Sequence, residues 1–336
     1  MPDPAPLLQP ILAVHARIRA AVIESFGRTS PGDLQRVAAD GEGDTIYEID
    51  RVGEAALVEG LEEVAREMPI CLLAEGLPPE GLTLPRGTPE AACVWKLLVD
   101  PIDGTRGLMY QKRSAWILTG VAPNRGPATR LSDICLAVQT EIPLQKQHLS
   151  DQLWAVRDGS VVARRHDRIS GRDVPLVLAP SSAGSIAHGY ASVVRFFPGA
   201  RDVLASIDDE LAAELLGPGS AGKATAFEDQ YASTGGQLFE LLSGRDRFIA
   251  DLRPLVEAIR AERGLPTGLC CHPYDLCTAL IAESLGVILT GADGSPLDAP
   301  FELHHDVAWV GYANERLRAT IEPVLLAALA RRGLTA

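Results

Sequence analysis

An apolar run that ends in an acidic turn constrains the fold of this chain more than any other feature. Residues 94–99 are mostly apolar, and residues 100–105 read Asp-Pro-Ile-Asp-Gly-Thr. Valine and tryptophan favour strands and proline cannot continue a central strand, so the run predicts a buried strand that ends at Asp100. Asp103 follows three residues later, in a tight turn closed by Gly104. Two carboxylates are therefore predicted to converge at the end of one strand.

These carboxylates have a chemical and a purely structural interpretation. Mg²⁺ prefers carboxylate and carbonyl oxygens and commonly keeps open positions for water and for a substrate phosphate. If Thr105 begins a helix, the amides of Gly104 and Thr105 and the helix dipole provide an anion site beside the cation site. That combination suits phosphoryl transfer to water. The same string is also compatible with an ordinary Asx turn, and this alternative remains open.

The net charge narrows the possible partners. Lys and Arg number 31 and Asp and Glu number 44, so the formal net charge is −13. Nucleic-acid binding and polybasic membrane anchoring both need clustered cations to neutralise phosphates, and this composition argues against both. An acidic chain still binds phosphate when metal ions supply the positive charge. We therefore expect a small-molecule partner, with no nucleic-acid polymer and no membrane.

The apolar periodicity predicts an α/β fold. Helical spacing occurs over residues 8–26, 50–68, 203–216, 237–242, 275–285 and 315–332, and short apolar runs predict strands at residues 70–73, 94–99, 116–121, 134–140, 153–156, 176–178, 247–250 and 287–290. Interleaved helices and strands are typical of layered α/β proteins. The length of 336 residues predicts two domains or one two-lobed unit. We place an N-terminal α+β lobe over residues 1–175 and a C-terminal α/β lobe over residues 176–336, with loops at residues 40–44 and 217–222.

The six cysteines favour a reducing compartment, because they show neither paired Cys-x-x-Cys spacing nor the density of a secreted disulfide scaffold. A zinc cluster of Cys270, Cys271, His272 and Cys277 is the alternative, but adjacent cysteines chelate poorly, so buried free thiols are predicted. The first residues lack a basic segment, and no run of 18 uncharged apolar residues occurs. We expect neither a signal peptide nor a membrane span, and a cytoplasmic location.

The acidic segment resembles the signature of a known group of phosphatases. Residues 100–105 match the Asp-Pro-Ile-Asp-Gly-Thr signature of the inositol monophosphatase and fructose-1,6-bisphosphatase superfamily of metal-dependent, often lithium-sensitive enzymes. Further landmarks of that superfamily follow in the expected order: Ile49-Asp50 with Glu54, Leu72 to Glu75, Cys271 to Asp275 with the helical residues after it, and Gly311 to Asn314. The resemblance runs over residues 44–314 and is loose between the motifs. It implies an inositol monophosphatase-like αβαβα sandwich with two lobes.

The resemblance also implies a magnesium site. Glu75, Asp100 and the Ile102 carbonyl would hold one Mg²⁺, and Asp100, Asp103 and Asp275 would hold a second. A third, weaker ion would bind at Glu75, and Mn²⁺ would substitute for Mg²⁺.

The same resemblance assigns catalytic and substrate-binding roles. Thr105 and Asp50 would receive the proton of the attacking water, with Glu75 as the third catalytic residue. The phosphate would be bound by Asp103, Gly104 and Thr105, and Arg106 would contribute to substrate specificity.

Several of these residues have simpler interpretations. Asp50 is also a suitable helix N-cap, Glu75 a suitable solvated loop acid, and Asp275 a suitable cap for the helix that follows it. Glu54 and Glu283 are expected to act as surface or buried hydrogen-bonding acids rather than as metal ligands.

The chain also departs from the pattern of the superfamily. Gly76 stands where a second glutamate is usual, and Tyr47 stands where a threonine is usual. Arg106, Lys112 and Arg113 place three cations just after the phosphate motif. They would contact a second anionic group of the substrate or form a solvated surface cluster.

The resulting functional hypothesis is a Mg²⁺-dependent phosphomonoesterase that hydrolyses a small inositol, sugar or nucleotide phosphate by means of a metal-activated water. One alternative is a 3′-phosphoadenosine-type nucleotidase, in which Arg106 would meet the second phosphate. Another is a catalytically silent, metal-binding relative that acts as an interaction protein. The resemblance implies a homodimer and sensitivity to lithium.

Overall fold

The computed structural model describes residues 2–28, 37–40, 45–217 and 223–334, and it gives no side-chain description for residues 27–28, 37–40 and 45–48. The predicted loops at residues 40–44 and 217–222 therefore lie almost wholly outside the described residues, and so does the Tyr47 side chain. The N-terminal elements are α1 (Ala5–Arg28), β1 (Val37–Asp40), β2 (Thr45–Tyr47) and α2 (Glu48–Ala65).

A large sheet occupies the next part of the chain. Its strands are β3 (Ile70–Ala74), β4 (Leu82–Leu84), β5 (Trp95–Asp103), β6 (Ala115–Pro123), β7 (Leu136–Ile142), β8 (Leu149–Val156), β9 (Val162–Asp167) and β10 (Arg172–Pro175), in the spatial order β10-β9-β8-β7-β6-β5-β3-β4. The pair β3 and β5 is parallel and the other pairs are antiparallel. Every residue of β3, β5, β6 and β7 is buried. Both faces of the sheet centre are therefore covered.

The helices α1 and α2 cover one face of the large sheet. Leu7, Ile11 and Ile18 of α1 are at most 1% exposed and share a core with α2 and the sheet. His15 is fully buried and lies 2.8 Å from Thr119 Oγ1 and 2.9 Å from Thr140 Oγ1. Burial lowers the pKa of His15 to about 3, so the ring is neutral and ties α1 to the sheet.

By length and composition, one helix of the described residues, Ala5–Phe26, is long and apolar enough to cross a membrane. Its apolar face is the one that packs on α2 and on the sheet. This is the arrangement of a helix within a protein core.

A second, smaller sheet follows β10. It consists of β11 (Tyr190–Val193), β12 (Asp246–Asp251), β13 (Ile288–Gly291) and β14 (Trp309–Tyr312), in the order β11-β12-β14-β13. The remaining helices are α3 (Thr105–Met109), α4 (Arg201–Leu216), α5 (Thr234–Leu242), α6 (Glu257–Glu262), α7 (Ala279–Ser284) and α8 (Glu315–Arg331).

Alternate layers of helix and sheet account for this arrangement. The helices α5 and α7 lie between the two sheets, in one core with residues of both, while α4 and α8 cover the outer face of the small sheet. With α1 and α2 outside the large sheet, the layers run α, β, α, β, α. The predicted α/β class and the αβαβα sandwich are confirmed. The predicted lobe boundary after residue 175 falls between the two sheets, and the division into lobes itself remains a prediction.

Two local predictions are wrong, and one hairpin was not predicted. The strands β9 and β10 form that hairpin, in which Asp167 Oδ1 accepts hydrogen bonds from the amides of Ile169 and Ser170. Its residues are mostly polar, which is compatible with its place at the edge of the sheet. Residues 176–178 form no strand, and Val177 is 92% exposed. The helix expected over residues 275–285 is divided into a 3₁₀ turn, Pro273–Leu276, and α7.

All six cysteines are buried free thiols, as predicted. Within the part of the chain that the structure describes, the group that could hold a metal ion consists of carboxylates and contains no cysteine. The alternative of a zinc cluster at Cys270, Cys271, His272 and Cys277 therefore has no support.

Candidate metal and phosphate site

The strand β5 carries the first two acidic residues of the site. Its register with β6 shifts between Asp100 and Asp103, where Pro101 cannot donate to the ladder. The amide of Ile102 donates to Asp100 Oδ1 at 2.9 Å. The Asx-type turn is therefore present, and it holds one oxygen of a buried carboxylate. The Asx turn and the predicted pair of carboxylates therefore occur together in this segment.

The Asp103 carboxylate is held by the beginning of α5. Ser233 Oγ donates to Asp103 Oδ2 at 2.8 Å, the Gly235 amide donates to the same oxygen at 2.6 Å, and the Thr234 amide donates to Oδ1 at 3.3 Å. A Cβ at position 235 would lie 2.9 Å from Asp103 Oδ2, so a glycine is needed for this close approach. A helix from the layer between the sheets thus fixes a carboxylate of the large sheet.

The third carboxylate comes from the 3₁₀ turn Pro273–Leu276. Asp275 Oδ2 accepts a hydrogen bond from the amide of His272 at 2.6 Å. One carboxylate oxygen from each of Asp100, Asp103 and Asp275 lies within 4.8 Å of the others. Asp275, which is far from the other two acids in the sequence, therefore meets Asp100 and Asp103 at one point, as the sequence analysis predicted.

All three carboxylates have raised pKa values, and a bound cation would stabilise their ionised forms. Burial, with repulsion from Glu75 next in size, raises the pKa of Asp100 well above its ordinary value. Burial also raises the pKa of Asp275 well above its ordinary value, and that of Asp103 to about 6. Close, buried carboxylates destabilise one another's ionised forms. Oxygen donors in this number and arrangement fit a hard divalent ion such as Mg²⁺.

Glu75 lies at the edge of the same group. It follows the last residue of β3, and its amide donates to the carbonyl of Val99 on the parallel neighbour β5 at 3.2 Å. Its side chain is half-buried and lines the same cleft as Asp100. The parallel pairing of β3 and β5 brings both strand ends to one edge and places Glu75 beside Asp100. The role of Glu75 as a metal ligand remains a prediction.

Asp50 and Thr105 form a polar pair beside the acids. Thr105 Oγ1 lies 2.8 Å from Asp50 Oδ1 and 2.8 Å from the carbonyl oxygen of Ile102. A hydroxyl has one proton, so it donates to one of these oxygens at a time. The helix α2 begins at Glu48, which places Asp50 in its first turn. The alternative that Asp50 is the N-cap is therefore wrong.

Gly104 makes the turn between the acids and α3. Its φ of +95° lies in the left-handed region that favours glycine. A Cβ there would lie 3.0 Å from the Cβ of Ser233. Thr105 begins α3, as predicted, although α3 contains only 5 residues. The phosphate-binding roles of Asp103, Gly104 and Thr105 remain predictions.

The acids line a cleft with about 810 Å³ of space, including its open mouth. Arg106 lines this cleft, and its Cζ lies 5.2 Å from the ring centroid of Phe197. Lys112 and Arg113 lie outside the cleft lining. Arg113 instead forms an ion pair with Asp229. Of the three cations after the phosphate motif, Arg106 alone lines the cleft.

Glu54 occupies a place that the sequence analysis did not foresee. It lines the cleft, and burial together with the charge of Asp50 raises its pKa. A Cβ at Gly76, where φ is +84°, would overlap with Glu54 Oε1. The missing side chain at position 76 therefore leaves the space that the Glu54 carboxyl fills. Its position four residues after Asp50 on a helix was the available signal. Glu283 is not part of the lining.

The sequence analysis also did not identify the residues that form the wall of the cleft away from the acids. This wall includes Phe196 and Phe197, from the connection between β11 and α4, and Arg253, which follows β12. Arg253 donates to the carboxylate of the fully buried Asp251 and to the carbonyl of Leu269. No spacing in the sequence relates these segments, because only the tertiary fold brings them together.

Solved structures with the same fold cover nearly the whole chain. Leishmania major fructose-1,6-bisphosphatase has a TM-score of 0.66 and 14% identity, with 97% of this chain and 94% of that chain covered. The Thermotoga maritima IMPase has a TM-score of 0.62 and 14% identity, with coverages of 96% and 98%. A Pyrococcus horikoshii protein described as having similarities to inositol-1 monophosphatase has a TM-score of 0.63 and 13% identity, with coverages of 96% and 99%.

The chain therefore shares its fold with these solved structures, which include an IMPase and a fructose-1,6-bisphosphatase. The predicted fold is therefore confirmed over nearly the whole chain. Neither a protein-family model nor a curated protein matches the sequence.

Proposed function

We propose that this chain is a Mg²⁺-dependent phosphomonoesterase that hydrolyses a small phosphate ester. The observation that carries the proposal is the convergence of Asp100, Asp103 and Asp275 within 4.8 Å, in a cleft that Glu75 and Arg106 also line. The fold also supports the proposal, because solved structures described as an IMPase and a fructose-1,6-bisphosphatase are similar to this chain over more than nine-tenths of its length.

Glu75, Asp100, the Ile102 carbonyl, Asp103 and Asp275 would hold two or three Mg²⁺ ions. The ions, or Mn²⁺ in their place, would supply positive charge for the phosphate and lower the pKa of a bound water. The Ile102 carbonyl oxygen has two lone pairs. It can therefore serve as a ligand whether or not Thr105 donates to it.

Thr105 and Asp50 provide a route for the proton of the attacking water. When Thr105 Oγ1 donates to Asp50 Oδ1, 2.8 Å away, its lone pairs are available to accept a proton. Transfer of the hydroxyl proton to Asp50 then balances the proton that Thr105 receives. Because Asp50 is held in the first turn of α2, this pair needs no rearrangement.

Asp103 contributes a fixed carboxylate. Three donors at the beginning of α5 hold it, so its orientation is set before a substrate binds. The adjacent amides of Gly104 and Thr105 would bind the nonbridging oxygens of the phosphate. Fixed donors of this kind stabilise charge in the transition state without the cost of reorganisation.

A 3′-phosphoadenosine-type nucleotidase is the second candidate. It is favoured by the position of Arg106, which lines the cleft beside the ring of Phe197. In this case Arg106 would bind the second phosphate and the aromatic wall would contact the base. Addition of 3′-phosphoadenosine 5′-phosphate to the substrate panel distinguishes this activity from the first candidate.

The test is phosphate release from a panel of inositol, sugar and nucleotide monophosphates, with Mg²⁺ and with EDTA. We expect Mg²⁺-dependent turnover that Asp100→Asn abolishes while the circular dichroism spectrum is unchanged. Glu283→Gln is the matched control, because Glu283 is an acid of α7 that lies outside the cleft lining. Full activity of Asp100→Asn would refute the proposal. Metal binding without turnover of any ester would favour the catalytically silent alternative.

A further inference from the structure

The wall of the cleft beyond the acids is mainly apolar and aromatic. Its lining residues of these types are Phe196, Phe197, Ala232, Leu269, Cys270 and Tyr274. The acids of the cleft are gathered at the metal end, in the motifs described above. The alcohol part of a phosphate ester, which extends away from the phosphate, would therefore contact a surface with few hydrogen-bond acceptors.

The hydroxyl groups of Ser233 and Thr234 on this wall already have partners. Ser233 Oγ donates to Asp103 and accepts a hydrogen bond from the amide of Gly236. Thr234 Oγ1 lies 3.7 Å from Cys271 Sγ. A substrate rich in hydroxyl groups would lose hydrogen bonds to water here and find few replacements.

Arg253 is engaged in the same way. Its guanidinium donates to both carboxylate oxygens of Asp251 and to the carbonyl of Leu269. The ion pair with Asp251 compensates most of its charge. Arg253 is therefore held in place, with its guanidinium against the rings of Phe196 and Phe197.

Phe196 and Phe197 form a fixed pair on this wall. Their ring centroids are 4.7 Å apart and their planes meet at 85°. Arg253 Cζ lies 4.6 Å from the centroid of Phe196 and 5.5 Å from that of Phe197. Arg201 donates to the carbonyls of both phenylalanines, and Arg260 donates to the carbonyl of Pro198. These bonds fix the loop before any ligand binds.

Phe197 differs from its neighbour in one respect. Phe196 packs against the core between the two sheets, whereas Phe197 belongs to none of the hydrophobic cores formed by the described residues. Phe197 is nonetheless half-buried, because it lines the cleft and contacts two guanidinium groups. A large apolar ring that serves no core is typical of a binding surface.

From these observations we propose that the substrate is the phosphate ester of an alcohol bearing a flat aromatic ring, and that Phe197 determines this specificity. The proposal rests on the phosphomonoesterase function proposed above. Aromatic rings gain from edge-to-face or offset contact with Phe196 and Phe197, and they stack on guanidinium planes. Inositol and sugar phosphates have no aromatic ring and would gain little binding energy from contact with the same wall. This proposal selects one substrate class from those that the metal chemistry allows.

The experiment compares primary alkyl esters with similar leaving groups: benzyl phosphate, cyclohexylmethyl phosphate and glycerol 1-phosphate. We expect the wild-type protein to have the highest kcat/KM for benzyl phosphate. Phe197→Ala should lower that kcat/KM about 10-fold and change the value for glycerol 1-phosphate by less than about 2-fold. Phe197→Tyr should retain the preference. Phe227→Ala is the matched control, since Phe227 is 40% exposed and lies outside the cleft.

Binding of a non-hydrolysable ligand separates this proposal from the proposed function. Benzylphosphonate should bind to the wild-type protein with Mg²⁺ about 10-fold more tightly than methylphosphonate, and Phe197→Ala should remove the difference. If benzylphosphonate binds more tightly as expected and no ester is hydrolysed, the role of Phe197 in binding an aromatic ring is supported and the phosphomonoesterase function is refuted. If esters are hydrolysed with no preference for benzyl phosphate, or if Phe197→Ala affects all esters equally, that role of Phe197 is overturned.

Discussion

Replacement of Ser233 by alanine tests how the helix α5 holds a carboxylate of the large sheet in place. Ser233 Oγ donates to Asp103 Oδ2 at 2.8 Å and accepts from the amide of Gly236 at 3.0 Å, as the N-cap of α5. Loss of a helix cap costs about 1 kcal/mol, and loss of a hydrogen bond to a charged group costs about 2 kcal/mol. The free energy of unfolding of Ser233→Ala in EDTA at pH 8 should therefore fall by about 3 kcal/mol.

Metal affinity should change as well. In this variant the carboxylate of Asp103 would keep the hydrogen bonds from the amides of Thr234 and Gly235. It would lose the hydrogen bond from the Ser233 hydroxyl. Loss of a group that orients a metal ligand typically weakens metal binding by about 10-fold or more. Urea unfolding monitored by circular dichroism measures the first effect, and calorimetric titration with Mg²⁺ measures the second.

Ser192→Ala is the matched control for this experiment. Ser192 is 2% exposed, and its Oγ accepts one hydrogen bond from the amide of Asp229 at 3.2 Å. It lies outside the cleft lining, so the control should lose about 1 kcal/mol of stability and no Mg²⁺ affinity. The reasoning is refuted if Ser233→Ala binds Mg²⁺ as tightly as the wild-type protein, or if both variants lose the same affinity.

Three further predictions concern the proton route, the pH dependence and the metal. Thr105→Val should lower kcat at least about 100-fold with little change in Mg²⁺ affinity, and steady-state kinetics that show a rise in KM alone would contradict this. Burial raises the pKa of Asp246 from 3.8 to about 7. The folded state therefore binds its proton more tightly than the unfolded state, and wild-type stability falls as pH rises from about 4 to 7, by at most about 4 kcal/mol from this group. Asp246→Asn should flatten that fall in urea-unfolding curves, and parallel curves would refute the assignment. Removal of Mg²⁺ by EDTA should lower the Tm of the wild-type protein but not that of Asp100→Asn, and an equal shift in both would contradict the metal site.

The sequence predicted features that depend on local order along the chain. The buried strand β5, the turn at Gly104 and the convergence of Asp100 with Asp103 follow from an apolar run, a proline and a glycine in succession. The core strands were predictable because their burial on both faces requires continuous apolar runs. The β9–β10 hairpin was missed because an edge hairpin exposed to water needs no such run.

Features that depend on contacts between distant segments could not be predicted. The carboxyl of Glu54 fills the space left by Gly76, and this relation exists only because α2 packs beside the end of β3. The rings of Phe196 and Phe197 contact Arg253 on one wall of the cleft for the same kind of reason. In both cases the partners lie on separate elements, and no periodicity or motif relates them.

The central claim is that acids at the ends of β3 and β5 and in the 3₁₀ turn form one metal-binding site. Anomalous diffraction from crystals of the protein grown with Mn²⁺ tests it most directly. The account predicts anomalous peaks within bonding distance of the carboxylate oxygens of Glu75, Asp100, Asp103 and Asp275, and their loss in Asp100→Asn. Crystals of the wild-type protein with Mn²⁺ in solution and no anomalous peak among these four carboxylates would contradict it.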